Sequence, residues 1–167
     1  MAANTGRTVN KHFKFQIEDS GGTFRDIPIL TVNGVGIAYD EEEMMAIQDA
    51  MHGFLPGHGV TSVDITGPLD TTAAQTASGS GAVAALSGGH VVLPTVNGGV
   101  TPLGFACYFG MRHPWETGEP VFGLASTAAN GVLVFNYEVD PASMLYSASI
   151  RMFPGSAAPA WGTAAIS

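Results

Sequence analysis

Charge is what this sequence has least of. Asp, Glu, Lys and Arg together make up 12% of its 167 residues, where about 25% is ordinary for a soluble domain. The shortage is uneven: Thr71 to Met111 contains none of the four, and neither does Met152 to Ser167. Surface this poor in charge is expected to be covered by other copies or partners. A single cysteine, Cys107, excludes an internal disulfide framework and a cysteine-type zinc site, and its expected role is a small buried thiol in a strand. No stretch of about 18 consecutive apolar residues occurs, because Gly, Ser, Thr, Asn or Pro interrupts each apolar run, so no membrane partner is expected. The start, MAANTGRTVNKHFKF, lacks the apolar core of a secretion signal, so a chain made and kept in a cytoplasm is expected. Cations are few and crowded early: Arg7, Lys11, Lys14 and Arg25, then only Arg112 and Arg151. With a net charge of -8 this is the wrong sign and layout for gripping a phosphate backbone.

Apolar residues are plentiful, at 46% of the chain with a mean hydropathy of +0.22. The length suits one domain spanning 1–167, which can bury about two-thirds of the surface its unfolded chain exposes. Phe13, Phe15 and Ile17 alternate with Lys14, Gln16 and Glu18, the period of a half-buried strand, and Asp19-Ser20-Gly21-Gly22 supplies a turn into a second strand. Ile29 to Val32 meets a tight-turn signal at Asn33-Gly34, and Val35 to Tyr39 continues extended. Asp40 with Glu43 reads as a capping box. Met44, Ile47, Met51 and Phe54 then fall at helical spacing, which predicts one amphipathic helix from Glu41 to about Gly53, ended by Pro56-Gly57-His58-Gly59.

The rest reads as strands. Val63 and Ile65 alternate with Asp64 and Thr66; Val91 to Leu93 reads as a short strand; Leu103, Phe105, Cys107, Phe109 and Met111 form one inward row. Asn130-Gly131 launches Val132 to Val139, with Leu133, Phe135, Tyr137 and Val139 on a shared face, and Asp140-Pro141-Ala142-Ser143 turns it into Tyr146 to Phe153. Residues 1–12 read as an N-terminal arm, 71–82 ("TTAAQTASGSGA") as a flexible loop or arm, and 154–167 as a C-terminal tail unable to hold a regular element by itself. The tail carries no charge, so Trp161 and Ile166 are expected to dock on an adjacent subunit. The expected fold is mainly β: an antiparallel β-sandwich or barrel with one amphipathic α-helix and long loops.

Chemistry is thinly represented. His113, Glu116 and Glu119, with His58 or His90 at a distance, form the best cluster, but Pro114, Gly118 and Pro120 place it in a loop that does not align ligands. No nucleophile elbow, P-loop or dinucleotide fingerprint occurs, and "SGSGAVAAL" lacks a P-loop lysine. No enzyme activity, metal or cofactor is expected.

The phrases "FKFQIEDSGGTFRDI", "VDITGPLDTT" and "VLVFNYEVDPASMLYSASIRMFPG" resemble tail-tube and related virion structural proteins of tailed phages, over about half the chain. The resemblance implies a self-assembling structural protein whose copies form rings, usually hexameric, that stack into a tube, with other virion proteins as further partners. It implies placement in a virion assembled in the host cytoplasm. By likeness, Asp19, Gly21, Gly22 and Arg25 belong to a contact hairpin, and Thr71, Thr72 and Ser78 to an arm reaching a neighbour. An acidic lumen would let DNA pass without specific binding, and Glu41, Glu42, Asp49, Glu116, Glu119 and Glu138 are the candidates for a lumen or exposed face. Pro28 after Ile27 and the extended tail depart from the pattern and keep a head decoration or minor capsid protein open. A third class, a β-sandwich module binding carbohydrate or peptide, rests on Trp115, Tyr108 and Trp161 as stacking platforms.

Overall fold

β1 (Phe13–Glu18) and β2 (Phe24–Ile27) form the opening hairpin, with Phe15 facing Ile27 and Glu18 facing Phe24. The structure, a computed structural model, describes residues 12–44, 53–69, 85–86, 89–110 and 113–167. Among these residues the other strands are β3 (Thr31–Asn33), β4 (Ala38–Met44), β5 (Gly53–Val60), β6 (Ser62–Pro68), β7 (Ala85–Leu86), β8 (Phe105–Phe109), β9 (Val121–Leu124), β10 (Val132–Asp140), β11 (Leu145–Met152) and β12 (Ala160–Gly162), with one helix, α1 (Gly89–Val96), between β7 and β8. A six-stranded sheet runs β12-β9-β8-β1-β2-β7, a four-stranded sheet β10-β11-β6-β3, and β4 with β5 makes a separate two-stranded ribbon. Every pairing is antiparallel except β2 with β7. The result is a sandwich, and neither sheet closes into a barrel. No helix among the described residues is long and apolar enough to cross a membrane.

The core lies between the two large sheets. Phe15, Ile17, Phe105, Cys107 and Phe122 from one meet Val63, Ile65, Val132, Val134, Tyr146, Ala148 and Ile150 from the other, and Val92, Leu93 and Val96 of α1 join them. Burying one such side chain contributes roughly 1.5–3 kcal/mol. Cys107 sits in this core, where loss of hydration pushes its thiol up to about 12. It should therefore resist thiol reagents at pH 8 in the native protein and react fully in denaturant; labelling of the folded chain at the denatured rate contradicts the burial.

Several sequence expectations are corrected. The helix expected from Glu41 to Gly53 is absent at both ends: Glu41 to Met44 lie in β4 and Gly53 and Phe54 in β5, while Ile47 and Met51 lie outside the described residues. Pro56 to Gly59 continue β5 rather than ending a helix. Conversely, Val91 to Leu93 belong to α1 and not to a strand, because Val92, Leu93 and Val96 share one face and bury it in the core. Pro94 stands inside this helix, where it removes one backbone donor. The face of β10 is also revised. Val132 and Val134 are buried, Phe135 is exposed, and a bulge between Phe135 and Glu138, with Asn136 at φ 55°, turns Tyr137 and Val139 back toward the core. Asn97 Oδ1 holds that bulge by accepting the Tyr137 N–H at 3.2 Å.

The second face of β1 is buried where sequence alternation predicts solvent. β1 is central, between β2 and β8, so Gln16 and Lys14 meet neighbours on both sides. Gln16 donates to Asp26 at 2.6 Å, and Lys14 sits 3.8 Å from the same carboxylate and 5.0 Å over the Tyr108 ring. Burial raises the Asp26 pKa, against the Gln16 hydrogen bond and the Lys14 charge.

The tail holds a regular element after all, and docks on its own chain. Trp161 pairs with Phe122 across β12 and β9, and the Ile166 N–H donates to the Tyr108 hydroxyl at 3.2 Å. Ile166 and Trp115 cover a second, smaller cluster of Ala106, Tyr108 and Val121 on the outer face of the six-stranded sheet. Gly123 makes room for this: a Cβ there would lie 2.2 Å from the Phe105 carbonyl oxygen and 2.7 Å from Ile166 Cδ1.

Candidate assembly surfaces

The first surface is the hairpin tip. Asp19 closes it alone: Oδ1 accepts the N–H groups of Gly21 and Thr23 at 2.9 and 3.0 Å, and Oδ2 accepts Arg25 Nε at 2.7 Å. Gly22 takes φ 77°, a conformation glycine adopts without strain. Burial alone would raise the Asp19 carboxyl; the hydrogen bonds from Thr23, Arg25 and Gly21 and the Arg25 charge outweigh it and hold the pKa below the usual carboxylate value. A lowered folded pKa gives stability that is present above the unfolded value and lost as pH falls through the folded one. Asp19→Asn should therefore destabilise at pH 7 and converge on the wild type as acid protonates the folded carboxylate, read by urea unfolding at each pH. A constant gap across that range refutes the role given to the charge. Asp19, Gly21, Gly22 and Arg25 are thus brought together in a preformed turn.

The second surface is the β4–β5 ribbon, which sequence reasoning missed. Tyr39, Phe54, Leu55 and Val60 are 56%, 57%, 52% and 52% exposed. Phe54 and Leu55 are adjacent in the strand, opposite Glu43 and Glu42, so they face opposite sides. Both faces of the ribbon therefore carry apolar side chains in the open. Tyr39 lies over its cross-strand partner Gly59, where a Cβ would meet its ring at 2.9 Å. Glycine has no side chain to pack, and the ring covers that backbone instead. Asp40 to Glu43 are all exposed and line one edge strand with carboxylates, which discourages indiscriminate edge pairing. A signal for this ribbon did exist: Pro56, Gly57 and Gly59 are poor residues for a continuing helix.

The third surface is the edge formed by β12, where Trp161 remains 57% exposed while its ring leans on Phe122 and Phe109 at 4.9 and 5.5 Å between centroids.

The acidic candidates are scattered. Glu41 and Glu42 are exposed on the ribbon, and Glu138 is exposed on β10 beyond its bulge. Glu116 and Glu119 flank His113 at 3.8 and 3.9 Å; Glu116 is exposed but the Glu119 side chain is largely buried. The Pro114 carbonyl raises the His113 pKa most, desolvation opposes it, and the Glu116 and Glu119 carboxylates add to the rise. No group of three or more His, Cys, Asp or Glu among the described residues could hold a metal ion. Asp49, Thr71, Thr72 and Ser78 lie outside the described residues, as do the 71–82 arm and residues 1–11. Of the aromatic platform, Trp115 and Tyr108 pack edge-on against each other at 4.7 Å and Trp115 donates to the Glu119 and Pro120 carbonyls, so these rings are used within the fold.

No family model matches the sequence, and no curated protein does. Solved structures similar in fold come from contractile injection machines. One is a chain of the sheath-tube complex of an extracellular contractile injection system, PVC, in its extended state: 10% identity over 96% of this chain and 95% of that one, with a TM-score of 0.52. A second is a chain of the PVC sheath/tube terminator, extended state, at 11% identity, 92% and 95% coverage and a TM-score of 0.53. A third, from the tube-terminating cap of the anti-feeding prophage, has 11% identity, 98% and 100% coverage and a TM-score of 0.51. The likeness spans nearly the whole chain, and at these identities it is one of fold.

Proposed function

We propose that this chain is a structural subunit of a phage-tail-like tube, associating with copies of itself and with other tail proteins in a virion or virion-like particle. The β4–β5 ribbon carries the reading. A two-stranded hairpin is at best marginally stable alone in water, and this one exposes apolar residues on both faces. Such a ribbon is stabilised when adjacent subunits cover it. The whole-chain likeness in fold to components of injection machines supports the same reading. In the assembled ring, which we take as hexameric, the hairpin tip at Asp19 to Arg25, the 71–82 arm and Trp161 contribute further contacts. The exposed carboxylates of Glu41, Glu42, Glu116 and Glu138 are the described residues available to line an acidic passage for DNA. No catalytic step is assigned.

Negative-stain electron microscopy with sedimentation velocity over rising concentration tests this. Rings or tubes are expected; a monomer at the highest concentration refutes it. Two of the similar chains belong to a terminator and to a cap, which favours a second reading in which single rings close a tube end. Discrete rings that do not stack would select it.

A further inference from the structure

At one end of the sandwich the turn after β1, the C-terminal end of α1 and the segments flanking β8 and β9 enclose a cavity of about 250 Å³. Glu18, Asp19, Thr101 and Ser126 contribute its polar wall, and Val96 and Leu103 an apolar one. The two acids differ. Asp19 is answered by Arg25 at 2.7 Å. Glu18 is only 7% exposed, its Oε2 accepts the Gly104 N–H at 2.6 Å, and among the described residues no cation pairs with it and no donor meets Oε1. Gly104 permits this approach, since a Cβ there would stand 3.1 Å from Glu18 Cδ and 2.6 Å from Phe24 Cζ.

A carboxylate nine-tenths buried with one hydrogen bond and no countercharge is costly to maintain. The C-terminal end of α1 adds the negative pole of a short helix dipole to the same cavity. The cavity therefore favours a positive guest. Its donor set, one unpaired carboxylate beside hydroxyls, is too poor for a metal ion, and its volume is too large for one. A long basic side chain fits both halves: its charged head meets Glu18, Thr101 and Ser126, and its methylene stem lies along Val96 and Leu103.

We propose that this cavity receives a lysine or arginine side chain presented by a partner protein, drawn toward the chain by its net charge of -8. The site stands independently of tube formation, because every group that builds it belongs to one subunit.

The test is an NMR titration of the full chain with Nα-acetyl-lysine N-methylamide, beside Nα-acetyl-norleucine N-methylamide, which keeps the stem and lacks the ammonium. Saturable shifts at the Thr101, Gly104 and Ser126 amides are expected with the first and not the second. Glu18→Gln keeps an acceptor for Gly104 but removes the charge, and should weaken the lysine probe by about tenfold or more. Thr101→Lys, which leaves Glu18 intact and places an ammonium at the cavity, should block the probe and raise the melting temperature. The proposal is overturned if the wild type gives no saturable shifts at these amides up to tens of millimolar probe, roughly the weakest affinity worth calling a site. Equal binding of the norleucine analogue, undiminished binding by either variant, or shifts confined to the acidic ribbon at Asp40 to Glu43 also overturn it.

Discussion

Phe54→Asp combined with Leu55→Asp should leave the subunit folded and abolish its assembly. Both side chains are more than half exposed in the isolated chain, and the ribbon that carries them belongs to neither of the two large sheets. Substitutions at such positions ordinarily change folding stability by no more than about 0.5 kcal/mol. Covered by a neighbour, each would contribute roughly 1.5–3 kcal/mol to association, so removing both raises the concentration needed for assembly by about a hundredfold or more. Circular dichroism and thermal melting at low concentration should match the wild type, while sedimentation shows monomer where the wild type forms rings. Assembly at the wild-type concentration would remove the ribbon from the interface and with it the observation on which the proposed function rests. The acidic side of the same ribbon gives a second readout: assembled wild-type protein should not retain duplex DNA at low salt.

What the sequence made legible was local and alternating. The opening hairpin, the Val63/Ile65 strand, the Phe105/Cys107 row and the β10–β11 hairpin with its Asp140 turn could be read because side-chain period and turn residues agree there. In that turn Asp140 accepts the Ala142 N–H at 2.9 Å and the Ser143 hydroxyl at 2.7 Å, which is what an aspartate at the head of a turn offers. What failed was set by partners that the local pattern does not name. Asp40 to Met44 carries a capping pattern and good helix formers, yet Glu41 to Met44 pair with Gly53 to Pro56, a contact the helical spacing does not reveal. Val91 and Val92 are β-branched, yet Val91 to Leu93 are helical, because the space beside β10 accepts an apolar helical face. Glu18 alternates as a solvent residue should, but its neighbour in space is the backbone of Gly104, 86 residues away. The residues that matter most for the two proposed contacts, Phe54, Leu55 and Glu18, all belong to this second group.

The C-terminal tail gives the other large effect. Deleting Ala157 to Ser167 should destabilise the subunit itself, whatever it does to assembly. The deletion removes β12 from the edge of the six-stranded sheet, takes Trp161 off Phe122 and Phe109, and lifts Ile166 from the outer cluster of Ala106, Tyr108 and Val121. It also leaves the Tyr108 hydroxyl without the Ile166 N–H and exposes the β9 edge. The losses are backbone hydrogen bonds and apolar contacts, each of which stabilises the folded subunit. Against this stands the conformational entropy regained by eleven residues that no longer need ordering. The tail is ordered against that entropy, so its contacts outweigh it, and the deletion should lower the melting temperature, by about 2–4 °C for each kcal/mol lost at this chain length. Ile166→Ala separates the two roles of the tail, since Ile166 is half-buried on its own sheet whereas Trp161 is open to a neighbour. It should lower the melting temperature and spare assembly, while Trp161→Ala should weaken assembly more than it lowers the melting temperature. A truncated chain that melts with the wild type would show that the tail is held by adjacent subunits and contributes nothing to its own fold.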